Sequence, residues 1–252
     1  MAVAVPPLVL LAGMNCTADL WEDGGFGGGA GGAIRPVLDR PTVAEQVDAL
    51  LDELPDSFIV VGHSLGGIVG MALALAAPTR VAGLCLVSTN AKAPTDAQRS
   101  GWTSWLDALE GGAEPRALQD SILQPLLGED VVRDRPDLVE RTLRMGEETG
   151  AERLRAQLRM QLTRTDLLSR LGGLTMPTLV VSGLDDVICP PRFHTEIVSA
   201  MPDARLVSLD AGHLLPLERP REFGGLVGSW RSHLRICCLL YTSDAADDLL
   251  CV

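Results

Sequence analysis

Short apolar runs alternate along the chain with longer stretches in which apolar residues recur at helical spacing. The runs occupy residues 8–12, 34–38, 58–61, 81–87, 178–181 and 205–209. A strand wetted on one face alternates apolar and polar residues, whereas one covered on both faces reads as an unbroken run. Between the runs, 42–54 reads as a helix capped by Thr42 with Glu45 as its capping-box partner, and 65–77 as an alanine-rich helix ended by Pro78. Two more helical patterns cover 191–201 and 218–234. The alternation predicts an α/β fold, with a mostly parallel sheet of about six strands, helices on both faces and right-handed crossovers.

Two stretches break this rhythm. Residues 24–32 are almost all glycine and are expected to form a loop, since glycine gives up the most backbone freedom on entering a helix. Residues 90–164 are rich in Arg, Glu and Leu at helical spacing, with no strand-like run. A segment that long inside an α/β domain is expected to be an inserted helical subdomain rather than a loop. The division that follows is a core of residues 1–90 and 165–235 with a helical insertion at 91–164. The stretch from Cys238 to Asp247 resembles a translated transposon adapter from a sequencing library. Residues 236–252 are therefore expected to be a non-native tail that the fold does not need.

Composition narrows the function. A chain of 252 residues, 46% of them apolar, suits one large domain with a full core. The net charge is −12 with no basic cluster, which argues against nucleic acid and anionic membranes as partners, because phosphate contact needs grouped Lys and Arg. The six cysteines (Cys16, Cys85, Cys189, Cys237, Cys238 and Cys251) match neither zinc-site nor disulfide spacing. They predict a reducing, cytoplasmic setting and imply no metal. Residues 2–12 lack a basic n-region, contain Pro6 and Pro7 and are too short to span a bilayer. They are expected to hold a buried strand rather than a signal peptide or anchor.

The chemistry rests on Gly62-His63-Ser64-Leu65-Gly66, a G-x-S-x-G pattern between an apolar run and an alanine-rich helix. Ser64 in that context lies on a tight strand-to-helix turn that holds its hydroxyl out, and glycines are needed two residues to either side. A serine hydroxyl is a poor nucleophile at neutral pH and needs a base, which an acid must orient. The chain has four histidines. His63 adjoins the serine and points away from it, so packing or a supporting hydrogen bond is its expected role. His194 is expected on a solvated helix face, and His233 near the exposed end of the last helix. His213 follows the 205–209 run in a loop at a strand's carboxyl end, where a parallel sheet places its site, and is the expected base. For the acid, Asp185 and Asp186 follow the 178–181 run, while Asp210 stands too close to His213 along the chain. The expected oxyanion donors are the N–H of Leu65, at the helix start, and that of Met14, in the loop after the first run.

These segments together resemble the α/β-hydrolase superfamily up to Leu234. Leu10-Leu11-Ala12-Gly13-Met14 is similar to its oxyanion segment, and Gly62 to Gly67 to its nucleophile elbow. Gly183-Leu184-Asp185-Asp186 through Pro190 is similar to its acid segment, and Gly212-His213 with Glu218-Arg219-Pro220 to its histidine segment. In that pattern the acid is the third residue after the glycine, which implies Asp186 and leaves Asp185 a solvated turn residue. The resemblance also implies that 91–164 is a helical cap over the serine. Trp102, Trp105 and Leu106 would either face the acyl group or pack the cap's own core. The cap arginines, interspersed with acids, are expected on a solvated face. Ser88-Thr89-Asn90-Ala91 resembles the small-esterase branch that includes pimeloyl-carrier-protein methyl esterases. The chain departs from the family in three ways: Ala12 stands where a histidine is usual, the first hairpin is missing, and glycines largely replace the first helix.

The implied activity is hydrolysis of a small-molecule carboxylic ester by an acyl-enzyme, with no cofactor. Lactone, thioester, amide or carbon–carbon cleavage by the same residues is the nearest alternative. A non-catalytic binding protein on a hydrolase scaffold is the alternative of another class. Dehalogenase and epoxide hydrolase chemistry is disfavoured, because those relatives place Asp where Ser64 stands.

Overall fold

A computed structural model describes residues 6–26 and 32–247, with side chains described through Leu234. Its centre is a five-stranded, fully parallel sheet in which the strands lie side by side in chain order. The strands are β1 (Leu8–Leu11), β2 (Phe58–His63), β3 (Val81–Val87), β4 (Thr178–Gly183) and β5 (Ala204–Leu209). The first four are buried along nearly their whole length, as unbroken apolar runs require, while β5 at the edge is partly exposed. Alternate residues feed two cores. Val9, Leu11 and Val60 face one layer, and Leu8, Leu10, Ile59 and Val61 face the other.

The predicted sixth strand is a correction. Of residues 34–38 only Ile34 joins the sheet, through an isolated parallel bridge to Val9, with Leu10 N–H donating to its carbonyl at 2.9 Å. Pro36 follows two residues later, and a residue without an N–H cannot extend the ladder. The glycine-rich loop lies largely outside the described residues, in 27–31. Before it, Ala18–Gly24 forms a 3-10 helix that buries Leu20 and Trp21.

Helices α1 (Val43–Glu53) and α2 (Leu65–Ala76) flank the first strands. Thr42 caps α1 as expected, its hydroxyl accepting from the Glu45 N–H at 3.2 Å. Between β3 and β4 run α3 (Asp96–Glu110), α4 (Pro115–Asp120), α5 (Leu123–Leu127), α6 (Glu129–Asp134) and α7 (Pro136–Thr163). Gly150 breaks α7 in two with a positive φ of 74°, which glycine adopts without steric cost. The chain then forms α8 (Pro191–Ala200) and a short turn, α9 (Leu215–Glu218). The last helix, α10 (Pro220–Asp247), starts at Pro220, two residues later than the pattern suggests. Proline at the first helical position lacks only an N–H that would be unpaired anyway.

Candidate active site

Ser64 sits between β2 and α2 with φ 51° and ψ −114°, a backbone conformation that costs a side-chain-bearing residue roughly 1–3 kcal/mol. Its neighbours explain how the turn is held. A Cβ on Gly62 would lie 2.5 Å from the carbonyl oxygen of Gly66, and one on Gly66 would overlap the carbonyl oxygen of Leu11. The Ser64 carbonyl accepts from the N–H of Gly67 at 2.9 Å and from the hydroxyl of Thr89 at 2.7 Å. Thr89 thus braces the strained residue from the end of β3, a role that the sequence did not reveal.

The Ser64 Oγ lies 3.1 Å from Nε2 of His213, and Nδ1 of the same ring lies 2.9 and 3.0 Å from the two carboxylate oxygens of Asp186. Asp186 Oδ1 also accepts from the N–H groups of Ile188 and Cys189 at 2.9 and 2.8 Å. Burial by itself would raise the Asp186 pKa. The facing His213 ring and the N–H of Cys189 outweigh it and hold the carboxyl below its usual range. Asp185 is exposed. His213 is itself fixed: its N–H donates to the Leu126 carbonyl of α5 at 3.0 Å, and its carbonyl accepts from Nε2 of His63 at 2.9 Å. His63 is buried, and desolvation first, then His213, lower its pKa to about 3, so the ring is neutral.

His194 corrects an expectation. It is fully buried, and its Nε2 accepts from the Thr89 N–H at 3.0 Å, so it supports the Ser64 brace instead of facing water. Burial lowers its pKa to about 4. His233 is exposed, as expected.

Ser64 and His213 open into a cavity of about 290 Å³ together with Met14, Trp102, Trp105 and Leu126. Leu65 is the first residue of α2, so its N–H belongs to the unpaired donors at a helix start. Trp102 and Trp105 line the cavity and also pack beside Leu109, Leu154 and Leu158. Leu106 joins only that packing. Asn15, next to Met14, ties the β1 loop to the helices above. Its N–H donates to Gln157 Oε1 at 2.8 Å and its Nδ2 to Gln119 Oε1 at 2.8 Å. Gln157 in turn donates to the Leu38 carbonyl. All three amides are buried.

Most arginines of 91–164 face water and acids, as expected, among them Arg116 with Glu140 and Arg144 with Glu148. Arg164 does not. It is 5% exposed and lines the cavity. The sequence marks only its neighbourhood: residues 154–165 hold three arginines and no acid, with nothing to separate Arg164 from Arg155 and Arg159. Asp186, Cys189 and His213 form the group able to approach a metal among the described residues. Asp186 and His213 already saturate one another, and the Cys189 thiol, its pKa raised to about 12 by burial, is a poor ligand.

Comparison with known proteins agrees with this architecture. The model of the alpha/beta hydrolase family matches residues 11–225. A pimeloyl-[acyl-carrier protein] methyl ester esterase from Aromatoleum aromaticum is 31% identical over 200 residues, 74% of this chain and 79% of its own. A putative carbamate hydrolase from Azorhizobium caulinodans is 30% identical over 173 residues, 67% of this chain and 63% of its own. Among solved structures, a thermophilic esterase from Thermogutta terrifontis superposes with a TM-score of 0.80 at 24% identity, covering 91% of this chain and 90% of that one. The parallel sheet, the serine at its elbow and a family match over most of the chain lead to one conclusion: the chain belongs to the alpha/beta hydrolase family.

Proposed function

We propose that the chain is a serine hydrolase that cleaves a small carboxylic ester through an acyl-enzyme. The observation that carries this reading is the unbroken hydrogen-bond chain from Ser64 Oγ through His213 to Asp186. Ser64 attacks the ester carbonyl, and as the Oγ–C bond forms its proton passes to His213 Nε2. Asp186 steadies the resulting imidazolium through the Nδ1 hydrogen. The N–H groups of Leu65 and Met14 receive the developing oxyanion. Collapse breaks the C–O bond, the leaving alkoxide takes the proton from His213, and the alcohol departs. Water then gives a proton to His213 as it adds to the acyl carbon. A second collapse releases the acid and returns the proton to Ser64. The scheme uses no metal or organic cofactor.

Residues 1–90 and 165–235 are assigned as the core and 91–164 as the cap. Trp102 and Trp105 flank the acyl group, and Leu106 belongs to the cap's own packing. The described cysteines (Cys16, Cys85 and Cys189) are buried free thiols, which supports a reducing, cytoplasmic setting. Among the described residues no helix is long and apolar enough to cross a membrane.

The test is a fluorophosphonate probe combined with a substrate panel. Wild-type protein is expected to be labelled covalently, Ser64→Ala is not, and short methyl or nitrophenyl esters turn over faster than lactone, thioester, amide and carbamate analogues. Well-folded wild type that resists the probe would make this a binding protein. Labelling with a non-ester as the best substrate would keep the serine and change the bond.

A further inference from the structure

Arg164 is a buried cation in the wall of the same cavity. Its Nη1 donates to Gln161 Oε1 at 2.7 Å and its Nη2 to Gln98 Oε1 at 3.4 Å, and its guanidinium carbon lies 5.2 Å from the centre of the Trp102 ring. Gln98, Trp102, Gln161 and Arg164 all line the cavity that Ser64 and His213 line. The described partners of the guanidinium are all neutral. Nε has no partner, and among the described residues no carboxylate lies within ion-pair distance of the group. Burial lowers the Arg164 pKa to about 10, with Cys189 opposing the shift and Arg99 adding to it, so at neutral pH the group remains a cation.

Such an arrangement is costly. Buried charges are normally paired, because removing an ion from water costs several kcal/mol that neutral amides repay only in part. Gln98 already caps α3 by bonding the Thr95 N–H at 3.0 Å, so its amide oxygen is shared between that cap and the cation. A buried guanidinium whose described partners are all neutral, on a residue that lines a small cavity, is suited to contact with a carboxylate.

We propose that Arg164 binds a free carboxylate on the acyl part of the substrate, so that the preferred ester is the half-ester of a dicarboxylic acid. The acyl part stays bound through both halves of the reaction, so a clamp on it acts in acylation and deacylation alike. This inference rests on the serine-hydrolase reading above.

The experiment compares kcat/KM for monomethyl esters of the series from succinic to suberic acid with that for methyl esters of the equally long monocarboxylic acids. Wild type, Arg164→Gln and Arg164→Met are assayed, and fluorophosphonate labelling counts active serines. Wild type is expected to favour one half-ester by about 30-fold or more over its neutral partner, as for a buried charge pair. Both variants are expected to lose that preference, the half-ester falling to the level of its neutral partner in the same variant. Arg164→Met is further expected to melt no lower than wild type, since it removes an unpaired buried charge. Turnover without a half-ester preference, a preference that survives in labelled Arg164→Gln or Arg164→Met, or labelled wild type that spares every half-ester would overturn the inference and leave the serine hydrolase standing. Absence of both labelling and turnover would remove both.

Discussion

Nε2 of His63 donates a hydrogen bond of 2.9 Å to the main-chain oxygen of His213, so the residue before Ser64 holds the backbone of the histidine that faces the Ser64 hydroxyl. The neutral ring is buried and offers one donor, directed at that carbonyl. His63→Ala is expected to lower kcat about tenfold, the worth of one net hydrogen bond, with little change in KM. His63→Gln, which keeps an N–H donor, is expected to recover most of it. Steady-state kinetics on a short ester decides this, and equal losses in the two variants would show that volume rather than the hydrogen bond matters.

The two adjacent aspartates are expected to behave very differently. Asp186 is buried against His213, whereas Asp185 is exposed. Asp186→Asn is expected to reduce kcat by about 10⁴, since the imidazole loses the partner that fixes its tautomer. Asp185→Asn is expected to stay close to wild type. A silent Asp186→Asn with an impaired Asp185→Asn would reverse the assignment.

Gly66→Ala tests the elbow. The added methyl would run into the Leu11 carbonyl oxygen on the neighbouring strand, and backbone cannot yield as a side-chain tip can. A loss of about 3 kcal/mol in unfolding free energy is expected, at the upper end for overpacking, and denaturant melts would measure it.

Stability should depend on pH through groups beside the site. Burial pushes Glu218, whose carboxylate accepts from the Gly212 N–H at 2.9 Å, up from its ordinary 4.5 to about 7. Between those values the folded state holds more protons than the unfolded one, so this group makes stability fall as pH rises. His63 and His194 act at the acid side. Their folded pKa values, about 3 and about 4, lie below the ordinary 6.5, so unfolding takes up protons and stability falls as pH drops below about 6.5. Glu218→Gln is expected to raise Tm relative to wild type at about pH 8 and by less at about pH 5. An identical shift at both pH values would contradict the Glu218 assignment.

Ending the chain after Ile236 is expected to leave activity and Tm unchanged. The described contacts of α10 with the sheet come before that point: Leu234 and Trp230 approach Gly83, and Arg231 donates to the Pro6 carbonyl. A marked loss of either property would give the remaining residues a role.

Much of the fold was legible because strands covered on both faces leave unbroken apolar runs, and such runs mark β1 to β5 closely. The second run misled because only Ile34 bridges to the sheet: Pro36 has no N–H for the ladder, Val37 is exposed and Leu38 is buried outside any strand. Ser64, Asp186 and His213 were legible because a strained elbow and two strand-end loops impose local sequence rules. His194, Thr89 and Arg164 obey no such rule. Their importance comes from what lies across from them in space: a main-chain N–H for His194, a carbonyl for Thr89, and the amides of Gln98 and Gln161 for Arg164.

The roof is bolted to the floor at the two places where chemistry is proposed. Asn15 locks Gln119 and Gln157 to the loop that carries Met14, and the Leu126 carbonyl holds the N–H of His213. Displacing those helices would strand buried amides and at the same time loosen the loop of Met14 and the backbone of His213. In the proposed enzyme, the helices that line the pocket therefore also set the positions of Met14 and His213.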